Sequence, residues 1–292
     1  MPELPEVEVT RRKMGPLLLG RTVARVRTTA PSYFFLTRPA VLRRRLAGRC
    51  FERLERLGKY LVATLDGGDR LILHLGMTGQ LFGRGAASVR LLSSAAGASL
   101  APERQLEPFR PDHHTHLQLS FEDGGPEVYF RDARKFGKVQ LLAPGEPATR
   151  LDRLGVDALE ATGARLFAAS RGRRIPVKTL LLDQSVLAGV GNIYADEALF
   201  LARVRPTRRA SRLSRSEAEA VVTALRRVLR RSIATGGSSI SDYLQPDGAD
   251  GAYQDERRVY GRTGEPCPEC RSPIARRVIG QRSAHYCRRC QR

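Results

Sequence analysis

No apolar run in this 292-residue chain approaches the length needed to span a bilayer, and no leader-like segment stands before the first charged residues, so neither a membrane protein nor a secreted one is expected. Internal repeats are missing, as is any Gly-Lys-Ser/Thr loop of the kind that cradles nucleotide phosphates. Lysine is scarce: five (Lys13, Lys59, Lys135, Lys138 and Lys178) stand among 50 basic residues. A GC-rich genome would produce such a bias, yet it draws attention to each lysine. Acid is scarce too, with 30 carboxylates, a formal charge of +20 and a pI near 10.8. That imbalance is the footprint of a polyanion-binding protein, and nucleic acid is the expected partner. A hydrophobic content of 41% supports a genuine core, and the length suits two domains or one with an appendage.

Five cysteines fall into two classes. Cys50 is isolated and reads as a small buried hydrophobe. Cys267, Cys270, Cys287 and Cys290 are spaced C-x2-C-x16-C-x2-C, which predicts a four-thiolate ribbon holding one structural zinc ion. Pro266, Pro268, Pro273 and Gly264 suit the tight turns that aim paired sulfurs at one metal. His285 is a rival ligand, but four thiolates already close a tetrahedron.

The expected fold class is α+β: an antiparallel β-sandwich with flanking helices, then a helical module, then the zinc ribbon. Residues 1–145 read as strands after an opening helix, with strand patterns at 22–27, 60–65, 70–75, 115–121, 127–130 and 138–142. An Ala/Ser/Gly/Arg/Pro-biased stretch, 83–112, reads as a flexible insertion. A helical module spans 150–255, its clearest element opening on the capping box Ser214-x-x-Glu217 and stopping at Gly236-Gly237. The ribbon occupies 256–292.

The opening residues, Met1-Pro-Glu-Leu-Pro-Glu-Val-Glu8, crowd three carboxylates into the start of a strongly basic chain. Initiator methionine is normally trimmed before a small residue, which would leave Pro2 as a terminal secondary amine beside Glu3. Terminal amines titrate far below lysine, so such an amine is a nucleophile near neutrality and a neighbouring acid can supply a proton. The plainer reading is a helix start, with proline and acids favoured in the first turn. Three other stretches are ambiguous in the same way. Gly189-Val-Gly-Asn-Ile-Tyr-Ala-Asp-Glu197 looks like a glycine turn opening a helix with Asn192 near its N-cap, a place for a phosphate or simply a turn. Arg131-Asp-Ala-Arg-Lys-Phe-Gly137 is a basic hairpin tip or an aromatic wedge for a base stack. Met77, in His74-Leu-Gly-Met77, is core or a second wedge.

Taken together these residues resemble the formamidopyrimidine-DNA glycosylase family, nearly end to end. The resemblance rests on the opening eight residues, Gly58-Lys-Tyr-Leu61, His74-Leu-Gly-Met-Thr-Gly79, Asp132-Ala-Arg-Lys-Phe-Gly137, Gly189-Val-Gly-Asn-Ile-Tyr-Ala-Asp-Glu197, Val259-Tyr-Gly-Arg262 and the cysteine ribbon. It implies that Pro2 attacks the sugar carbon bearing an oxidised purine and forms a Schiff base. Glu3 would be the acid that opens the sugar, Glu6 would support the site, and beta and delta elimination would then cut the strand. Lys59 matches the family's catalytic, phosphate-contacting lysine. His74, Lys178, Asn192 and Arg282 match its phosphate-binding positions. Met77, Arg134 and Phe136 match the trio that fills the gap left by the flipped nucleotide. Residues 150–255 would be the helix–two-turns–helix module, and 237–253 its lid over the damaged base. Double-stranded DNA with oxidised bases or abasic sites is the implied partner, in the bacterial cytoplasm; a monomer is the default assumption, since nothing in the sequence suggests a further interface. Two departures stand out: the 83–112 stretch exceeds the family's usual connection, and Thr115 stands where an aspartate is common, for which a local structural effect is expected.

The nearest rival resembles endonuclease VIII, which shares Pro2, Glu3 and the ribbon but prefers oxidised pyrimidines. Leu4, Val7, Met77 with Arg134-Lys-Phe136, and the long 237–253 segment favour the purine class. A non-catalytic zinc-ribbon DNA-binding protein is the rival from another class, and it would leave the acids at the proline terminus without a task.

Overall fold

In the computed structural model, residues 2–83, 86, 109–240 and 243–292 are described. The interior of the 83–112 stretch, Met1 and two residues of the 237–253 segment therefore lie outside the described residues. The chain divides into two compact units, 1–148 with 236–252, and 149–235 with 253–292.

The first unit opens on α1 (Leu4–Leu18), followed by β1 (Val23–Thr28) and α2 (Pro39–Leu46). Seven strands follow: β2 (Phe51–Leu57), β3 (Tyr60–Leu65), β4 (Arg70–His74), β5 (Gly79–Gly83), β6 (Thr115–Phe121), β7 (Val128–Asp132) and β8 (Lys138–Leu142). They form two four-stranded antiparallel sheets, ordered β1-β6-β7-β5 and β2-β3-β4-β8. Alternating apolar residues of both sheets make one core, including Leu61, Ala63 and Leu73 from one and Leu81, Leu117 and Phe130 from the other, with Val7, Met14 and Leu18 of α1 packed into it. Two strands and α2 depart from the sequence pattern. β2 exposes residues in pairs between Phe51 and Leu54, a spacing nearer three than two. β5 is buried on both faces and bounded by glycines, so it carries no alternation. Cys50 is half-buried at the start of β2, not a core residue.

The second unit holds the short parallel pair β9 (Val156–Asp157) and β10 (Leu187–Ala188), with α3 (Gly163–Ser170) and α4 (Val177–Leu182) between them. Next come α5 (Asn192–Leu201) and α6 (Arg215–Ala234). The capping box at the start of α6 is formed as the sequence implied: Ser214 Oγ accepts from the Glu217 N–H at 3.1 Å and Glu217 returns the bond to the Ser214 N–H at 2.8 Å. Its apolar stripe (Ala218, Val221, Val222, Leu225, Val228 and Leu229) is buried throughout. The hairpin β11 (Ile274–Ile279) and β12 (Arg282–Cys287) completes the unit. No helix among the described residues is long and apolar enough to cross a membrane.

Residues 236–252, which the sequence pattern grouped with the helical module, pack with the sandwich. The reason is local: Leu244 is buried beside Phe82 and Tyr129, and the Gly83 N–H donates to Pro246 O at 3.1 Å. The ends of the 83–112 stretch are also ordered. Asp112 is paired with Arg131 at 2.9 Å and exchanges hydrogen bonds with Thr115, which gives Thr115 a turn-forming role.

Candidate functional site

Glu3 and Glu6 cap α1 reciprocally. Glu3 is the N-cap; its carboxylate accepts from the Glu6 N–H, and Glu6 Oε2 accepts from the Glu3 N–H at 2.8 Å. Both acids are buried, at 2% and 1% exposure, and Pro2 is buried ahead of them. The plain reading of the opening, a helix start, is therefore true as geometry, and it fixes two acids next to residue 2. Glu6 does more: its Oε1 accepts from the Ser238 N–H at 2.9 Å, and its carbonyl accepts from Tyr243 Oη at 3.2 Å. Burial, reinforced by the Glu6 charge, raises the Tyr243 phenol well above its ordinary value, so it stays a donor.

Glu8, the third acid, is structural. Burial would raise its carboxyl, but hydrogen bonds from Arg11 and Arg12 and the charges of Arg11 and Arg56 outweigh that and hold it at about 2. Arg56 spans from Glu8 (3.2 Å) to Gly58 O (3.1 Å), which fixes the β2–β3 turn against α1. That turn is Gly58-Lys59, and φ at Gly58 is +56°, as a two-residue hairpin requires at its first position. Lys59 is thus presented at the end of the sheet that faces the start of α1.

The register carries the rest of the predicted site to the same end. Tyr60 lies opposite His74, and His74 opposite Lys138. The His74 ring packs on Tyr60 with centroids 4.7 Å apart, and its Nδ1 accepts from the Gly76 N–H at 3.2 Å, which assigns the ring proton of the neutral form to Nε2. After β4 comes the loop with Met77; before β8 comes the loop with Arg134 and Phe136. These loops interlock. Gly76 sits at φ +63°, and a Cβ there would lie 2.5 Å from the backbone of Phe136 and Gly137. Asp132, fully buried, takes the Gly137 N–H at 2.6 Å and the Arg134 N–H at 3.3 Å, and bonds Thr78 Oγ1. His116 Nε2 donates to Asp132 O at 2.9 Å, and burial lowers its pKa, keeping the ring neutral. On this base Met77 is half-buried while Arg134 and Phe136 project, Phe136 at 45% exposure. The Arg134 guanidinium lies 5.4 Å from the Phe136 ring centre.

The second unit holds Lys178, Asn192 and Arg282. Asn192 is the first residue of α5, after the N-cap Gly191, and its side chain does not cap the helix. Arg282 is exposed at the start of β12. Lys178 is 0% exposed, with Nζ 2.6 Å from Asp196 Oδ1 and donating to Ser283 O at 2.5 Å. Asp196 Oδ2 also accepts from the His285 N–H at 2.8 Å. His285 is therefore engaged with Asp196, in keeping with its exclusion from the metal set. Beside it, Glu197 accepts from the N–H groups of Arg258 (2.9 Å), Val259 (3.0 Å) and Tyr260 (2.8 Å), while burial raises its carboxyl pKa. Sequence reasoning missed Asp132, Asp196 and Glu197 as organisers. For Asp196 and Glu197, adjacent acids inside an otherwise apolar helix of an acid-poor chain were the available signal.

The four ribbon cysteines come together with their Sγ atoms within 4.8 Å of one another. Cys267 and Cys290 are 3.9 Å apart, Cys270 and Cys287 3.4 Å, far beyond a disulfide and near the edge of about 3.8 Å that a tetrahedron of ~2.3 Å zinc–sulfur bonds requires. Phe200 and Leu201 of α5 back the cluster. The residues fit one structural zinc ion, with no position left over for a reacting water.

Three family models match successive parts of the chain: the formamidopyrimidine-DNA glycosylase N-terminal domain over residues 1–139, the H2TH domain of the same family over 154–243, and a zinc finger found in FPG and IleRS over 264–292. The formamidopyrimidine-DNA glycosylase of Cereibacter sphaeroides is 42% identical over 298 residues, covering 100% of both chains. The crystal structure of the MutM (FPG) protein of Thermus thermophilus superposes with a TM-score of 0.82 at 38% identity, covering 99% of this chain and 98% of that one. Lactococcus lactis Fpg, solved in complex with abasic-site DNA, gives 0.83 at 29% identity over 99% of each chain. Sandwich, helical module and cysteine ribbon thus match in order along one chain. The protein belongs to the formamidopyrimidine-DNA glycosylase family.

Proposed function

We propose that this protein removes oxidised purines, 8-oxoguanine and ring-opened formamidopyrimidines, from double-stranded DNA and then cuts the strand as an AP lyase. The observation that carries the reading is the buried Glu3–Glu6 pair beside Pro2, at the start of the helix that Glu8 and Arg56 tie to the Gly58-Lys59 turn. With Met1 removed, the Pro2 nitrogen attacks C1′ and the bond from C1′ to the base breaks, the base leaving with a proton. Glu3 gives its proton to O4′ as the C1′–O4′ bond opens, and the nitrogen lone pair forms the iminium. Loss of a C2′ proton then expels the 3′ phosphate, and a second elimination expels the 5′ phosphate. Glu6 holds Glu3 and the 237–253 lid in one network. Lys59 serves the chemistry and a phosphate; His74, Asn192 and Arg282 grip the backbone; Met77, Arg134 and Phe136 fill the space of the flipped nucleotide, whose extrusion costs a few kcal/mol. Lys178, sealed against Asp196, supports the hairpin that presents Arg282. Zinc closes the ribbon. The enzyme acts as a monomer in the bacterial cytoplasm.

The support from relatives is in keeping: a Lactococcus lactis FPG mutant is solved in complex with Fapy-dG-containing DNA at a TM-score of 0.85 and 29% identity. The test is borohydride trapping on a duplex with one 8-oxoguanine opposite cytosine, followed by mass spectrometry. An adduct on Pro2 is expected. Trapping only on an oxidised-pyrimidine duplex would move the protein to the endonuclease VIII-like reading, and none on either would leave a DNA-binding protein without the chemistry.

A further inference from the structure

The 236–252 strap is held to the sandwich in two different ways. Its polar attachment is Glu6, through Ser238 and Tyr243. Its apolar attachment is Leu244, buried in a small cluster with Phe82, Ala86 and Tyr129, separate from the main core. Phe109 packs against that cluster, its ring centre 4.9 Å from Phe82 and 5.5 Å from Tyr129, and its N–H donates to Ala86 O at 2.5 Å. Ala86 and Phe109 thus meet across residues 87–108 and line the seat into which the strap places its leucine.

We propose that Phe109 is a positioning residue for base selection, acting through Leu244 on the strap. The inference rests on the reading of 237–253 as the lid over the damaged base. Leu244 follows Tyr243 directly, and the Tyr243 hydroxyl bonds the Glu6 carbonyl, so a shift of the seat moves the strap relative to the acid pair. Two further ties set the height of the strap on the sandwich: the Gly83 N–H to Pro246 O at 3.1 Å, and an ion pair between Lys13 and Asp247. Nothing in the chemistry at the sugar requires Phe109, so its influence falls on the step that needs the base.

An abasic site has no base to recognise. Phe109→Ala should therefore lower single-turnover excision of 8-oxoguanine about tenfold or more, the scale on which a misplaced positioning group slows a reaction. The same preparation should cleave a preformed abasic site at the wild-type rate, and Phe109→Leu, which refills the seat, should recover most of the excision. Equal loss on both substrates would mean that Phe109 serves only the sandwich and would overturn the proposal, as would unchanged excision. A wild-type protein that cleaves abasic DNA but never excises 8-oxoguanine would instead defeat the substrate reading itself.

Discussion

Glu6 and Ser238, 232 residues apart, are joined by a hydrogen bond of 2.9 Å between a buried carboxylate and a backbone N–H. The same carboxylate holds the Glu3 N–H at 2.8 Å. One side chain therefore registers the helix start, the proposed proton donor and the strap to one another.

Glu6→Gln keeps the volume but replaces one accepting oxygen with an NH2 that faces an N–H donor. The expected cost is about 1–3 kcal/mol, that of leaving a buried polar group unsatisfied. Thermal unfolding should show it, and the yield of borohydride-trapped adduct should fall with it. A variant as stable and as readily trapped as wild type would remove Glu6 from this role.

Lys178 and Asp196 form a fully buried ion pair. Lys178→Met leaves the Asp196 charge buried without its lysine, for which about 3–5 kcal/mol of destabilisation is expected. Adding Asp196→Asn should restore part of the loss, and denaturant unfolding of both single variants and the double variant measures that coupling. Additive effects would contradict the pairing.

Chelation of zinc should unfold the ribbon, since metal binding supplies about 10–16 kcal/mol in small zinc-finger peptides. Binding to duplex DNA is expected to be abolished, while circular dichroism still reports the folded sandwich. In the loaded protein, affinity should fall steeply with salt through counterion release. Unchanged binding by the chelated protein would refute the ribbon's part in it.

Glu8 is held at about 2, below its ordinary value of 4.5. A depressed folded-state value stabilises the protein above pH 4.5, and the contribution is lost as pH falls from there toward 2. Glu8→Gln should therefore cost stability at about pH 7 and progressively less as pH approaches 2, as urea midpoints across that range would show.

Lys59→Ala should weaken base excision more than it weakens nonspecific DNA binding. Equal loss of both in paired kinetic and binding assays would reduce Lys59 to a phosphate contact.

Much of this arrangement was legible in the residues. Strands such as Tyr60–Leu65 and Thr115–Phe121 carry strand-like apolar patterns, α6 announces itself with its capping box, and the cysteine spacing alone defines the ribbon. β2, β5 and α2 were not legible, because pairs of exposed charges, flanking glycines and an arginine-rich turn of helix obscure the period. The strap's attachment was hidden for another reason: the contacts of Ser238, Tyr243 and Leu244 are long-range, and no local pattern encodes them. The Lys178 ion pair was hidden in the same way, since only the fold brings Asp196 to it.

Gly76 meets the backbone of Phe136 and Gly137 so closely that not even a methyl group fits between them. Met77 on one loop and Arg134 and Phe136 on the other are consequently parts of a single prefabricated tooth. In the gap-filling role proposed for these three side chains, such a tooth would enter a base stack already shaped, with the conformational entropy of ordering two separate loops spent during folding, before any DNA arrives. On that proposal, the rate of interrogating successive base pairs would be set by how readily the duplex yields, since the protein brings a finished tool to each one.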